Sequence, residues 1–196
     1  MGQMPKIASS TYHAYIELTK PNITSLILVS TALGYYLGGN GFIEFNRLFI
    51  TLAGTCLVSS GAGALNHVAE KDSDWLMERT NKRPLPAGLI DSKNAKLFGL
   101  VLIFLGAGIL YHFINPLTSV LAFSTVILYI FVYTPLKKIT WLNTSIGAIP
   151  GSIPPLGGWA AATGTLDPES WVLFAILFLW QHPHFYAIAY MYKDDY

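Results

Sequence analysis

The sequence predicts an all-α protein, a multi-pass bundle of transmembrane helices. Hydrophobic residues make up 53% of the 196 residues and charged residues only 12%, about half the charged share that is usual in soluble domains. The apolar residues are also collected into long segments without a regular polar face. A soluble helical core would need such a face on each helix, so both features favour a membrane-embedded chain.

Six apolar segments are each close to the length of about 20 residues that a helix needs to cross a bilayer. They run over Ile23–Leu37, Leu48–Ala69, Ala95–Phe113, Leu117–Thr134, Thr144–Ala162 and Trp171–Tyr190. The first segment reaches the required length if its helix begins near Leu18. We expect these helices to form a single membrane-embedded domain over residues 1–196.

The fifth segment is rich in glycine and proline, with prolines at 150, 154 and 155. A proline inside a helix removes a backbone hydrogen bond, so we expect this helix to be broken or kinked. Such a backbone is tolerated at membrane depth only where protein or a cavity covers it. Two explanations remain open, which are close helix packing through small residues and a cavity wall beside a bulky ligand.

The basic residues predict the orientation of the bundle. If the segments alternate, one side of the membrane carries Lys6, Lys20, Lys71, Arg79, Lys82, Arg83, Lys93, Lys96, Lys137, Lys138 and Lys193. Only Arg47 falls on the other side, so the positive-inside rule places the N-terminus, the loop after the second segment and the C-terminal end in the cytoplasm, or in the matrix for an organelle. The first 20 residues resemble neither a cleavable signal peptide nor an Arg-rich transit peptide. We therefore predict a bacterial inner (plasma) membrane location.

Asn66, Glu70 and Asp74 are spaced four residues apart where the second apolar segment meets the basic loop. At about 100° per residue, a helix places all three on one face within an arc of roughly 80°. Asp72 points elsewhere if the helix continues. Two carboxylates and an amide at a membrane boundary are costly unless they bind a cation or a polar ligand. Mg²⁺ prefers such oxygen ligands together with phosphate oxygens and water.

The residues that follow this row are basic, and they include Arg79, Lys82 and Arg83. Guanidinium groups bind phosphate oxygens through paired hydrogen bonds. Acids that hold Mg²⁺ beside bases that hold phosphate predict a diphosphate site. The simpler explanation is a solvated helix end with ordinary ion pairs, and a transporter that binds an ion at intramembrane acids is a third.

A second group of candidate residues lies in the sixth segment and beyond it. His182 and His184 are suited to ligate a metal or contact a ligand, although packing and hydrogen bonding explain such a pair equally well. Asp194 and Asp195 fall on the same side of the membrane as the first acids and are candidates for a second Mg²⁺ site. The sequence contains no Gly-rich phosphate loop, Ser-His-Asp arrangement or zinc-type spacing. Its basic residues lack the interleaved aromatics of a nucleic-acid surface.

The motifs resemble those of the UbiA-type intramembrane prenyltransferases. Asn66 to Asp74, with the Arg79-Thr80 pair and the run from Arg83 to Gly88, is similar to the first aspartate-rich motif of that family. Three further stretches are similar to the branch that farnesylates protoheme IX: 133–138, 143–161, and 180–185 with the closing 194–196. The resemblance implies a bundle of about nine helices, so the last three would be lacking and this chain alone inactive.

The resemblance also implies a reaction and its participants. Farnesyl diphosphate would lose diphosphate with the help of Mg²⁺, and a vinyl group of heme B would take the farnesyl group, giving heme O on the pathway to heme A. Candidate partner proteins are heme A synthase and oxidase assembly factors. The alternative within the same family is an aromatic acceptor in place of heme.

Residue roles follow from the same resemblance. It assigns the catalytic centre to Asn66, Glu70, Asp74, Arg79 and Arg83. Diphosphate binding falls to Arg79, Lys82 and Arg83, and metal binding to Glu70, Asp74, Asp194 and Asp195. Contact with heme falls to Trp180, His182 and His184.

Overall fold

A computed structural model describes residues 11–41, 43–137, 139–140 and 142–191, and every regular element in these ranges is helical. The elements in chain order are α1 (Thr11–Leu18), α2 (Pro21–Gly38), α3 (Phe45–Leu76), α4 (Ser92–Phe113), α5 (Pro116–Ile127), a π-helical turn (Leu128–Tyr133), α6 (Thr134–Leu136), α7 (Asn143–Thr163) and α8 (Pro168–Met191). Because α5, the π turn and α6 form one rod, the described chain contains six long helical rods. This confirms the predicted helical bundle.

The first long helix, α2, begins at Pro21, whereas the sequence suggested a start near Leu18. Helix α1 ends at Leu18, and Lys20 adopts the left-handed backbone conformation with φ 50° immediately before α2. Pro21 then opens α2 at its first turn, where a missing N–H costs nothing. The break separates α1 from the bundle's first long helix and fixes the position of Lys20 between them.

Helix α7 is one continuous helix, so the fifth segment is not broken; the kink given as the other expectation stays a prediction. Pro150, Pro154 and Pro155 all lie inside it. Helices α2 and α8 cover it from two sides. The carbonyl of Ala148 accepts hydrogen bonds from Ser152 Oγ and from Gln181 Nε2 at 2.7 and 3.2 Å. This protein cover is the condition under which proline-rich backbone persists at membrane depth.

Both explanations offered for the glycines of this segment are found in the structure. On the side that faces α2, a Cβ at Gly158 would lie 1.9 Å from the carbonyl oxygen of Thr31, so only glycine allows the two backbones to come this close. Gly147, Gly151 and Gly157 line a cavity. Helix α7 therefore both packs closely against α2 and forms part of the cavity wall.

Four of the described rods are long and apolar enough to cross a membrane: Phe45–Leu76, Ser92–Phe113, Pro116–Leu136 and Pro168–Met191.

At the end of the bundle away from the basic loop, Arg47 Nε donates to the carbonyl oxygen of Ala161 at 2.9 Å. Asn115 Nδ2 donates to the carbonyl oxygen of Ala160 at 2.7 Å. These bonds satisfy carbonyls at the end of α7 and hold three helix ends together on this side.

Candidate active site

The three predicted polar residues of α3 lie on its buried face. Asn66, Glu70 and Asp74 are only 1%, 6% and 5% exposed, whereas Asp72 is exposed. Their shared face follows from the four-residue spacing along a continuous helix. Two carboxylates are thus buried within the bundle, which requires cationic partners.

Each of these side chains contacts a cation from a different part of the chain. Lys20, at the start of α2, donates to Asn66 Oδ1. Lys137, after α6, forms an ion pair with Glu70 Oε1. These two lysines belong to distant parts of the sequence, and both contact the polar row of α3.

Arg83, from the loop after α3, bridges the two carboxylates. Its Nη1 lies 2.9 and 2.8 Å from the two oxygens of Asp74 and 4.0 Å from Glu70 Oε2. Both carboxylates therefore face one point, which a cationic nitrogen fills. Oxygen ligands that converge on a cation are the donor set suited to Mg²⁺.

The loop between α3 and α4 is fixed on both sides, which explains why Arg83 reaches this point. Thr80 Oγ1 donates to the backbone carbonyl of Asp74 at 2.9 Å. Leu85 is buried in an apolar cluster with Leu18 of α1 and Ala95 of α4. Helix α1 therefore acts as a brace that packs the loop against the end of the bundle.

The other predicted bases of this loop lie differently. Arg79 and Lys82 are exposed, while Arg83 is half-buried. Of the predicted phosphate-binding residues, Arg83 contacts the two acids of the row. Diphosphate contacts for Arg79 and Lys82 stay predictions.

The sequence placed Lys20 and Lys137 on the membrane side of the acids and Lys137 within the 133–138 stretch, but it gave neither lysine a role in the site. Thr134 belongs to the same stretch, and its contact with the site was not foreseen: its Oγ1 accepts a hydrogen bond from Asn66 Nδ2 at 3.2 Å and donates to the carbonyl oxygen of Tyr129 at 2.8 Å. One signal was available, because each lysine stands at the end of an apolar segment on the same membrane side as the acids.

The pKa of Lys20 is lowered from its ordinary value to about 8. Burial is the largest cause, since it disfavours the charged ammonium, and nearby Arg83 and Lys137 act in the same direction. Glu70 and Asp74 oppose the shift. Lys20 is therefore a cation that its surroundings do not fully neutralise, and an incoming anion would favour its charged form.

A cavity of about 590 Å³ extends from Lys20 into the bundle. Its walls come from α2, α3, α5, the π turn, α7 and α8, and they are largely apolar. The volume lies within the range of about 300–1,000 Å³ that is typical of ligand pockets. A charged end and an apolar body suit an amphipathic ligand with an anionic head.

The sixth segment supplies one wall of this cavity. Trp180 and His184 line it, with their rings stacked 4.6 Å apart at 15°. His182 is held instead by Ser145 Oγ at 2.9 Å and by the carbonyl oxygen of Phe178 at 2.8 Å. The two histidines therefore differ in their surroundings. His184 lines the cavity, whereas both ring nitrogens of His182 have protein partners.

The second predicted metal site falls on Asp194 and Asp195, which lie outside the described residues. Within the described ranges, no three His, Cys, Asp or Glu side chains come together in the manner of a metal centre. Glu70 and Asp74 are the two carboxylates that the structure brings together at the predicted site.

Comparison with known proteins identifies the family. The sequence profile of the UbiA prenyltransferase family matches residues 27–196. The chain belongs to this family. A UbiA prenyltransferase is an integral membrane protein, in agreement with the helices described above.

The curated relatives include several proteins named protoheme IX farnesyltransferase. The chain is 50% identical to that of Solibacter usitatus, over 93% of this chain and 65% of the relative. It is 46% identical to that of Salinibacter ruber, over 93% and 64%, and 45% identical to that of Synechocystis sp., over 93% and 58%. The chain therefore spans less than two thirds of the length of these relatives.

A solved structure of digeranylgeranylglyceryl phosphate synthase shares the fold of this UbiA chain. The TM-score is 0.76 at 21% sequence identity, over 86% of this chain and 59% of that structure. At this identity the likeness concerns the fold alone. It supports the arrangement of the six rods independently of the sequence motifs.

Proposed function

We propose that the protein transfers a farnesyl group from farnesyl diphosphate to a vinyl group of heme B, which gives heme O. The observation that carries this proposal is the cluster of Lys20, Arg83 and Lys137 around two buried carboxylates at the charged end of an apolar cavity. The names of the relatives point to heme as the acceptor.

The charges of the cluster suit a diphosphate head group. Three cations surround two carboxylates, so the five groups carry one excess positive charge. Lysine and arginine side chains are long and rotatable, so their charged ends can turn from protein oxygens to phosphate oxygens. Arginine and lysine are the residues that bind phosphate most effectively.

Glu70 and Asp74 are the residues that would hold Mg²⁺, because their carboxylates already converge on one cationic nitrogen. When bound, Mg²⁺ would stabilise the negative charge that grows on the leaving diphosphate. Asn66 would support the head group through its amide. We also propose that Asp194 and Asp195 take part at a second ion.

The apolar cavity would hold the farnesyl chain, and its wall on α8 would contact the acceptor. Trp180 and His184 present stacked rings to this space, and flat aromatic surfaces suit a porphyrin. His182 would act indirectly by fixing α8 against Ser145 of α7.

The chemistry needs no nucleophile from the protein. The bond between C1 of the farnesyl group and oxygen breaks, and its electron pair stays with diphosphate. The vinyl π electrons of heme then form the new bond to C1. Water adds to the cation left beside the porphyrin and loses a proton, giving a hydroxyl group. The basic cluster contributes by stabilising the departing anion.

The test is to express the protein from its complete reading frame in membranes of a host that makes no heme O. Heme B, farnesyl diphosphate and Mg²⁺ are added, and heme is extracted for mass spectrometry while released diphosphate is measured. We expect a hydroxyethylfarnesyl heme and diphosphate in equal amounts. Diphosphate release without modified heme would indicate an aromatic acceptor, and the absence of both products would favour a transporter.

A further inference from the structure

The cavity ends at a polar layer near the end of the bundle away from the basic loop. Asn115 Nδ2 donates to the carbonyl oxygen of Ala160 at 2.7 Å. Asn115 Oδ1 accepts hydrogen bonds from the backbone N–H and the hydroxyl of Thr118 at 2.8 and 2.9 Å. Arg47 Nε donates to the next carbonyl oxygen of α7, that of Ala161. These bonds tie the ends of α3, α5 and α7 into one layer, the cavity floor.

The deepest residues that line the cavity lie directly on this floor. Among the described residues, Thr118 is the last on α5 to line the cavity, and it is bonded to Asn115 and only 2% exposed. Gly157 is the last on α7, one helical turn before the carbonyls of the floor. Thr31 is the last on α2 and lies at the same level, because its backbone packs against Gly158. Three helices thus stop lining the cavity at one depth.

The depth of the cavity corresponds to the length of a farnesyl chain. On α3, Asn66 marks the charged end, and Thr55 is the last described residue to line the cavity. The helical rise between these two residues is about 16 Å. An extended isoprene unit is about 5 Å long, so a chain of three units needs about 15 Å. A fourth unit would need space that the floor and the fully buried Thr51 occupy.

Gly157 leaves the space above the floor open. A Cβ at this position would have no atom within 4 Å. Gly157 also lies on the same face of α7 as Pro150 and Pro154, which line the cavity with it. A side chain at position 157 would therefore enter the cavity. The neighbouring Gly158 makes the close contact with α2, so a change at position 157 alters the usable depth of the cavity without altering that contact.

We propose that Gly157 and the cavity floor set the length of the allylic diphosphate that the protein accepts, with Gly157 as the specificity-determining residue. This step rests on the proposed function, in which the diphosphate lies at the charged end and the isoprenoid chain extends toward the floor. The missing side chain of Gly157 leaves room for the third isoprene unit, and the hydrogen-bonded floor excludes a fourth. A shorter chain enters but covers less of the apolar wall, so it binds less tightly.

The experiment compares geranyl, farnesyl and geranylgeranyl diphosphate, which carry two, three and four isoprene units. Diphosphate release in the presence of heme B and Mg²⁺ gives kcat/KM for each donor, and mass spectrometry of the heme gives the length of the attached chain. The proteins, made from the complete reading frame, are wild type, Gly157→Leu, Gly157→Ala and Gly108→Leu. Gly108 of α4 also has no atom within 4 Å of its Cβ position, but it is not among the residues that line the cavity. Gly108→Leu is therefore the matched control.

Wild-type protein should prefer farnesyl diphosphate to both other donors. Gly157→Leu places an isobutyl group where the third isoprene unit would lie, so the ratio of kcat/KM for farnesyl to that for geranyl diphosphate should fall about tenfold or more. Gly157→Ala adds one methyl group and should lower the same ratio about twofold or more. Gly108→Leu should keep the wild-type ratio. Activity of Gly157→Leu with geranyl diphosphate verifies that this variant is folded.

Three results would overturn the proposal. The first is a wild-type ratio in Gly157→Leu. The second is a measurable but equal loss with geranyl and farnesyl diphosphate, which would show a general effect on the protein. The third is equal use of geranylgeranyl and farnesyl diphosphate by the wild type, which would show that the floor does not limit the chain. If Gly157→Leu is inactive with every donor, Gly157→Ala decides, and a wild-type ratio in that variant overturns the proposal.

Binding measurements separate this proposal from the proposed function. The unreactive geranyl, farnesyl and geranylgeranyl thiolodiphosphates test chain length by calorimetry without an acceptor. A wild type that prefers the farnesyl probe and modifies no heme, together with a Gly157→Leu variant that has lost this preference, would remove heme as the acceptor and support the role of Gly157. Wild-type protein that binds none of the three probes would overturn both proposals.

Discussion

At the scale of single residues, the site is a set of buried charges that the sequence reveals only in part. The four-residue spacing of Asn66, Glu70 and Asp74 was enough to predict their common buried face. Their partners were not predictable from local pattern, since Lys20 is 46 residues from Asn66 and Lys137 is 67 residues from Glu70. Such pairings depend on how helices pack, which hydrophobic periodicity does not specify.

Asp74 and Asp72 provide a direct test of the acid row. Asp74→Ala removes one of the two carboxylates that converge on Arg83, so we expect turnover to fall by a factor of about 100 or more. Asp72→Ala removes an exposed acid two residues away and should keep near wild-type activity. Heme product is measured by mass spectrometry, and membrane insertion of both variants is verified. Asp74→Ala within a few-fold of wild type would remove Asp74 from the site.

At the scale of elements, the apolar segments predicted the positions of the helices along the chain better than they predicted how the helices pack together. The predicted segments coincide with the six rods to within a few residues at most ends, because apolar length is a direct consequence of bilayer thickness. The α3 helix is an exception, since it continues beyond Ala69 to Leu76 and carries Glu70 and Asp74. The continuity of α7 through its prolines was also missed, because it depends on cover from α2 and α8.

Two neighbouring glycines of α7 test the packing at this scale. Gly158→Ala would place a methyl group against the backbone of α2, and overpacking of this kind costs about 1–3 kcal/mol. Gly157→Ala adds the same methyl group where nothing lies within 4 Å. We expect the first variant to unfold at a temperature several degrees below wild type and the second to match it. Thermal unfolding in detergent measures the difference, and equal midpoints would contradict the proposed tight contact between α2 and α7.

At the scale of the whole molecule, the charges define two unlike ends. One end holds the basic loop, Lys20 and the acid row, while the other holds Arg47 and the α7–α8 turn. The positive-inside rule predicts that the first end faces the cytoplasm. The active site would then open to the side on which soluble substrates and Mg²⁺ are available.

Cysteine labelling tests this orientation. In a Cys56→Ala background, Lys82→Cys places a single thiol on the exposed basic loop, and Thr165→Cys places one on the exposed turn at the opposite end. In intact cells, a membrane-impermeant maleimide should label Thr165→Cys and spare Lys82→Cys. A permeant maleimide should label both. The reverse pattern would show that the bundle is inserted the other way round.

Under the proposed function, the Arg83 nitrogen between Glu70 and Asp74 would determine the order in which Mg²⁺ and diphosphate bind. A divalent ion that arrives alone meets carboxylates already neutralised by an internal cation, and it has to displace that cation to bind. An arriving diphosphate offers Arg83 and Lys137 new partners, and their movement would free both carboxylates. We therefore expect metal affinity to be low in the empty protein and to rise once the anionic substrate is present. If the proposed function holds, the protein would bind Mg²⁺ only when there is a leaving group to activate.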